Sequence, residues 1–337
     1  MRARRGFWLT LLLGGGIFIC LMFDSATALR GATEGIHVCL KTVIPVLLPY
    51  IFLSSLLTGI IGGRRIPLLR KLCQLCSIPA GAESIFLLGL ISGYPVGAKL
   101  LGEAHGRGEL SQSTAKRMLA FCSNAGPSFI LGMLPNAFTI KIVPWLLWFI
   151  HVISAIWVAM LIPCTDHFAA KGKASTNADL SASMLQTLKS LSLICGWVIL
   201  FRILIAFFHA HFYTELPSVI QVLFTGLMEL ANGCISLGGI SNEAVRFIVC
   251  SCLLAFGGLC VMMQTSSVCN NLPLSMYFRG KILQTLISLV CALPVAYLIY
   301  EITPDLWFFL CAAAIVLSTI LAVITFRKGK KKTVAIP

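Results

Sequence analysis

Two hydrophobic stretches of the chain, 84–101 and 219–240, are interrupted by residues that could bind a ligand inside a membrane. The interrupting residues combine helix-breaking backbone with polar side chains: Ser92, Gly93, Tyr94, Pro95 and Lys99 in the first stretch, and Glu229, Asn232 and Gly233 in the second. An ionisable group inside a membrane is costly unless it is paired or hydrated. We therefore expect Glu229 and Lys99 to form the charged centre of a site. The alternative for Lys99 is that it reaches the cytoplasmic interface from the end of a short hairpin.

Two further apolar stretches, 118–134 and 245–264, carry breaks of the same kind. Their candidate binding residues are Asn124, Gly126, Pro127 and Ser128 in the first, and Gly257, Gly258 and Gln264 in the second. A half-helix that starts after such a break directs unpaired N–H groups and its positive dipole end into a cavity, which suits an anionic ligand. Tyr94 could stack on a ring or lie against a sugar. Close helix packing explains any single glycine equally well, and a simple kink explains Pro95 or Pro127.

Catalytic and metal-binding motifs are missing from the sequence. It contains no Gly-x-Ser-x-Gly elbow, no Walker A sequence and no His-Glu-x-x-His, and its six histidines are scattered. These patterns predict no enzyme, no cofactor and no metal site. An intramembrane enzyme acting on lipid-linked precursors remains an alternative, although no paired acid and base is visible.

The composition predicts a lipid bilayer as the chain's main partner. Hydrophobic residues make up 58% of the 337 residues and charged residues only 11%, whereas soluble domains carry about a quarter charged residues. The net charge of +14 comes from short Lys and Arg clusters between apolar stretches, which is typical of topology signals rather than of a nucleic-acid surface.

Ten apolar stretches of membrane-spanning length are predicted. They are 7–23, 43–61, 84–101, 118–134, 143–163, 187–209, 219–240, 245–264, 281–300 and 306–326. The first could be an anchor or a cleaved signal peptide. Residues 24–42 are interpreted as an amphipathic stretch at the outer interface or as a plain connecting loop.

The distribution of basic residues favours two re-entrant hairpins. If all ten stretches cross, the outside loops hold eight basic residues, but they hold only four if 84–101 and 219–240 return to the side they left. Since cytoplasmic loops are enriched in Lys and Arg, the re-entrant arrangement fits better. It places both termini in the cytoplasm and enters the two hairpins from opposite sides, as in many secondary transporters.

The predicted fold is an all-α, polytopic membrane bundle with two inverted repeats, each containing a broken or re-entrant hairpin. The domains are 1–42 (anchor or signal-like segment and interfacial stretch), 43–165 (first repeat), 166–186 (polar linker), 187–326 (second repeat) and 327–337 (basic cytoplasmic tail). Because identity between the halves is slight, chance similarity of membrane segments is the alternative.

A family resemblance rests on two segments of the first repeat. Residues 90–100, which contain Ser-Gly-Tyr-Pro-Val-Gly-Ala-Lys, and residues 117–127, which contain Ala-Phe-Cys-Ser-Asn-Ala-Gly-Pro, resemble the YlbJ-type sporulation integral membrane proteins. These belong to the nucleoside-recognition, or Gate domain, proteins. The resemblance implies an endospore-forming Firmicute and a role in spore development, often in cortex formation, with a second and more diverged Gate-like unit at about 190–325.

The function predicted from these observations is a transporter in the cell membrane of a sporulating bacterium. It would move a small polar metabolite, nucleoside-like or anionic, needed in spore cortex formation, and a homodimer is a possible assembly. The alternative function is a non-transporting membrane scaffold for cortex assembly, which would depend on the loops 62–83 and 102–117.

Overall fold

The computed structural model describes residues 14–19, 21–61, 66–162, 180–212 and 216–300. These residues form helices and connecting turns, without a β-strand among them, so the expectation of an all-α fold is confirmed. The predicted stretch 306–326, the tail 327–337 and most of the linker 166–186 lie outside the described residues.

The helices are numbered here from the first long one, and short 3-10 turns are left without a number. Their bounds are α1 Ser25–Val38, α2 Ile44–Ile61, α3 Arg70–Leu75, α4 Glu83–Ile91, α5 Val96–Gly106, α6 Gln112–Met118, α7 Pro127–Met133, α8 Val143–Leu161, α9 Leu180–Phe212, α10 Ser218–Met228, α11 Leu230–Ser236, α12 Glu243–Phe256, α13 Gly258–Val268 and α14 Ser275–Tyr300.

Five helical segments within the described residues are long and apolar enough to cross a membrane. They are Ser25–Leu57, Val143–Leu161, Leu180–Phe212, Glu243–Val268 and Ser275–Tyr300, and a bilayer core requires about 20 residues of helix. On α8 a row of large apolar side chains at four-residue spacing is about half exposed, namely Trp145, Phe149, Ile153 and Trp157. Such an outward apolar face is stable against lipid. The fold is that of a multi-pass membrane protein.

The segment that follows the first apolar stretch is helical rather than a plain loop. Helix α1 begins after Asp24, whose carboxylate accepts a hydrogen bond from the Thr27 backbone N–H at 3.0 Å, and it continues through the π-helical turn Cys39–Val43 into α2. The predicted domain boundary at residue 42 therefore falls inside one continuous run of helix.

Two glycines one turn apart hold α1 against α9. A Cβ atom on Gly31 would lie 2.8 Å from the Ala206 Cβ, and one on Gly35 would lie 2.9 Å from the Ile199 Cα. Small residues four apart let two helix backbones approach closely in a membrane protein. Residues 25–38 thus pack on a membrane-spanning helix.

The stretch 84–101 folds back on itself. Helix α4 ends at Ile91 and α5 begins at Val96, and a Cβ atom on Gly97 would lie 3.0 Å from the Gly89 Cα. Eight residues of straight helix would separate those positions by about 12 Å. The chain therefore reverses at the predicted break, and α4 and α5 form what we call the first hairpin.

The stretch 219–240 reverses in the same way. Glu229, in an extended conformation, separates α10 from α11, and a Cβ atom on Gly233 would overlap the Gly226 backbone, although seven residues of helix span about 10 Å. We call α10 and α11 the second hairpin.

Each hairpin packs against an interrupted helix of its own half. In the first half the interruption is the non-helical segment 119–126 between α6 and α7, and Gly89 and Gly97 lie against the Cys122 backbone. In the second half Gly257, with φ of +84°, separates α12 from α13, whose first residue Gly258 has φ of +83°. A Cβ atom on Gly226 would lie 2.6 Å from the Leu253 side chain. Both halves therefore pair a hairpin with a broken helix.

Candidate functional site

A cavity lies where the breaks of the two hairpins approach each other. Six of the predicted binding residues line it: Gly93, Tyr94, Gly126, Ser128, Glu229 and Gln264. Apolar side chains of α2, α7 and α9 form half of the remaining wall. Its volume is about 60 Å³, which accommodates a few water molecules. The cavity is therefore too small for a molecule of nucleoside size in this conformation.

Glu229 contributes a carboxyl group to the cavity wall. It is 3% exposed and caps α11: its Oε1 accepts a hydrogen bond from the Ala231 N–H at 3.0 Å, and its Oε2 accepts from the Asn232 N–H and Nδ2, both at 2.7 Å. Its own carboxylate therefore satisfies the N–H groups that open α11.

Tyr94 joins the first hairpin to the broken helix of the other half. Its hydroxyl donates a hydrogen bond to the Leu254 carbonyl oxygen at 3.0 Å, an acceptor near the end of α12 that is left without a helical partner. A Cβ atom on Gly257 would lie 3.0 Å from the Tyr94 hydroxyl oxygen. The glycine thus keeps open the space through which the tyrosine reaches that carbonyl.

A buried lysine lies beside Tyr94. Lys281 of α14 is 1% exposed, and its Nζ donates to the Tyr94 hydroxyl oxygen at 3.2 Å and to the Gln284 Oε1 at 2.7 Å. It also lies 5.0 Å from the centre of the Tyr94 ring and 5.9 Å from that of Tyr277. Among the described residues no carboxylate pairs with it. Lys281 is thus a buried amine held by neutral acceptors and aromatic rings.

The lysine continues into a buried polar network across the two halves. Gln284 donates from Nε2 to the Asn124 Oδ1 at 3.0 Å and to the His151 carbonyl oxygen at 3.3 Å. Asn124 donates to the Phe121 carbonyl oxygen at 2.7 Å, and the Ala125 N–H donates to the His151 Nε2 at 3.0 Å. These bonds fix the non-helical segment 119–126 in place.

The other predicted residues lie around the cavity rather than in its wall. Lys99 is buried on α5 but does not line the cavity, so the structure does not bring it to Glu229 there. Ser92 ends α4, and Pro95 precedes α5. Pro127 is the first residue of α7, a position that suits proline without a kink.

The remaining predicted glycines serve close packing. Gly233 lies against Gly226, and a Cβ atom on Gly258 would lie 2.9 Å from the Gly226 carbonyl oxygen. Asn232 faces away from the cavity into a separate polar crevice of about 530 Å³, where Arg202, Glu34, His209 and Thr225 also lie. The two cavities thus lie on either side of the second hairpin.

Lys281 and Arg202 fall in the predicted stretches 281–300 and 187–209 but are not among the predicted binding residues, and neither are Gln284 and His151. A sequence pattern does point to Lys281 and Gln284. Tyr277, Lys281, Gln284 and Ser288 follow one another at spacings of four, three and four residues, which places them on one face of a helix. All four are buried.

No group of three or more His, Cys, Asp or Glu side chains within the described residues is arranged to hold a metal ion.

The helices and the two hairpins define this chain as an all-helical, multi-pass membrane protein. Over 114 residues, 32% of the chain, it is 28% identical to the sporulation integral membrane protein YlbJ of Bacillus subtilis (strain 168). The matched part covers 27% of that relative, so the chain spans about a quarter of its length. No family model matches the chain, and no solved structure matches it.

Proposed function

We propose that this protein is a secondary transporter or permease for a small polar metabolite in sporulating cells. The observation that carries the proposal is that the breaks of two hairpins, one from each half of the chain, line the same buried cavity. Interrupted helices that meet at a cavity are the usual way in which transporters place backbone and side-chain polar groups at the middle of a membrane.

The proposal includes two repeats of inverted orientation. It is supported by the parallel construction of the halves, since each pairs a glycine-packed hairpin with a broken helix. A transporter built this way exposes the cavity alternately by moving one half against the other. Because the cavity holds only a few water molecules in this conformation, substrate binding requires one hairpin to move.

The proposed substrate is nucleoside-like or anionic, and the proposed role is in spore cortex formation. The site offers Tyr94 for contact with a ring, Ser128 and Gln264 for hydrogen bonds, and Lys281 as a basic group behind the tyrosine. The name of the Bacillus subtilis relative supports a place in sporulation.

Complementation of a deletion strain tests this proposal. We expect Glu229→Gln and Lys281→Met, at normal protein levels, to leave the sporulation defect uncorrected, because each removes an ionisable group at or beside the cavity. Lys99→Ala tests the sequence-based expectation for that lysine, and Lys141→Ala, on a turn outside the site, is the matched control. Full complementation by both Glu229→Gln and Lys281→Met would refute the transporter proposal. It would favour a scaffold, whose function depends on the loops 62–83 and 102–117 instead.

A further inference from the structure

The second hairpin is a thin partition between two cavities. Glu229, where α10 gives way to α11, lines the central cavity, whereas Asn232, one turn further on, lines the polar crevice of about 530 Å³. The Asn232 side chain bridges them: its Nδ2 donates to Glu229 Oε2 at 2.7 Å, and its Oδ1 accepts from Arg202 Nη1 at 2.8 Å. Arg202 in turn pairs with Glu34 at 2.6 Å. A hydrogen-bonded chain thus runs from the crevice to the cavity.

The hydrogen bonds at Glu229 favour the ionised carboxylate. Its two oxygens accept three hydrogen bonds, all from the first residues of α11. Protonation places an O–H donor on one of these oxygens and removes the negative charge, so the hydrogen bonds that the carboxyl group accepts become weaker. Proton binding would therefore loosen the cap of α11 and release Asn232 from its place between Glu229 and Arg202.

The charged and titratable groups around Glu229 come from several helices. Arg202 of α9 acts on it through Asn232, and Glu34 of α1 and His209 of α9 lie beyond Arg202 in the crevice. The Cys39 and Cys260 thiols lie within electrostatic range of Glu229, and Tyr94 lies in the wall of the same cavity. Among the described residues no cation forms a direct ion pair with the Glu229 carboxylate.

We infer that Glu229 is a proton-binding site and that its protonation releases the second hairpin and opens the central cavity. The inference rests on the proposed transport function and names the coupling ion. At neutral or higher pH the ionised carboxylate caps α11 and holds the second hairpin against the cavity. At acid pH the carboxyl group is protonated and its cap on α11 is weakened. Proton binding and access to the cavity are then the same event.

The test measures access to the cavity by the reactivity of a single cysteine. In full-length protein whose native cysteines are replaced, Val261→Cys places a thiol in the cavity wall, and Thr33→Cys places one in the exposed crevice. Proteoliposomes are treated with methyl methanethiosulfonate at pH 8 and pH 5.5, and labelling is followed by mass spectrometry. The Val261→Cys rate is divided by the Thr33→Cys rate at each pH, because thiol reactivity itself falls with pH.

We expect the ratio to rise by about tenfold at pH 5.5, the change that follows from the loss of one charge-assisted hydrogen bond. Glu229→Gln should give the high ratio at both pH values. Glu34→Gln, the matched change at the other end of the chain of hydrogen bonds, should keep the pH response. A flat ratio, a response that survives in Glu229→Gln, or one lost in Glu34→Gln would each overturn the inference.

These outcomes separate the proton site from the transport proposal. If the ratio of labelling rates is the same at both pH values while Glu229→Gln still fails to complement the deletion strain, the proton inference fails and the transport proposal stands. Should Glu229→Gln not fold, as judged by size-exclusion chromatography in detergent, the pH comparison of the unmodified cavity and the Glu34→Gln variant still decides the matter.

Discussion

Replacing Tyr94 by Phe tests whether the two halves of the chain are held together at the candidate site. The change removes one hydroxyl, which donates to the Leu254 carbonyl oxygen at 3.0 Å and accepts from Lys281 Nζ at 3.2 Å. In soluble proteins a buried carbonyl left without a partner costs about 1–3 kcal/mol. In membrane proteins, single side-chain hydrogen bonds contribute about 0.6 kcal/mol on average and about 1.7 kcal/mol at most.

Because two bonds are lost at one buried position, we expect Tyr94→Phe to lower the free energy of unfolding by about 1–3 kcal/mol. The measurement is equilibrium unfolding in mixed micelles with increasing sodium dodecyl sulfate. Tyr50→Phe, on an exposed position of α2, is the control and should change stability by less than about 0.5 kcal/mol.

A double-mutant cycle with Lys281→Met isolates the contact between the two side chains. The double variant should be more stable than the sum of the single changes predicts, by about 0.5–1 kcal/mol, since residues in contact are not additive. Equal effects of Tyr94→Phe and Tyr50→Phe, or full additivity with Lys281→Met, would refute the argument that Tyr94 links the halves.

Three further predictions concern the fold. Gly31→Leu should prevent α1 from packing on α9 and reduce the yield of folded protein, because even a Cβ atom there would meet Ala206 at 2.8 Å; Gly196→Leu, where a Cβ atom meets nothing within 4 Å, should be tolerated. Both are compared by size-exclusion chromatography in detergent. Arg117→Lys should lower the free energy of unfolding by about 2 kcal/mol, because the guanidinium donates to four backbone carbonyl groups that an ammonium group cannot all reach; an unchanged unfolding curve would contradict this. In cells carrying single reporter cysteines, an impermeant thiol reagent should label Asn242→Cys from outside but not Gly106→Cys if both hairpins are re-entrant, and labelling of both would contradict the inverted arrangement.

The breaks in the helices are the part of the fold that the sequence predicts best. Gly93 with Pro95, and Gly257 with Gly258, are residues that free the backbone wherever they occur in a membrane helix, and the structure interrupts a helix at each pair. The distribution of basic residues among the loops also predicts that the chain reverses in the stretch that contains Glu229. The chain can reverse at these breaks because glycines let the two arms of each hairpin come into contact.

The composition of the site is harder to predict because it depends on where helices begin. Lys281 was placed at the start of a span, where a lysine can reach the interface, but α14 begins at Ser275 and buries it nearly two turns inside the helix. Arg202 lies seven residues from the end of the predicted stretch 187–209, whereas α9 continues to Phe212. No local pattern shows that Lys281 and Tyr94, 187 residues apart in sequence, form a hydrogen bond.

The most direct test of the transport claim is a comparison of small molecules in spores. Spores of the wild type, of Glu229→Gln and of the control Lys141→Ala, prepared at equal protein levels, are analysed by untargeted mass spectrometry of their soluble contents, with the surrounding mother-cell fraction measured in parallel. We predict that at least one small polar metabolite is redistributed between spore and mother cell in Glu229→Gln and not in the control. Identical distributions in all three strains, alongside a sporulation defect in Glu229→Gln, would contradict transport as the function of this protein.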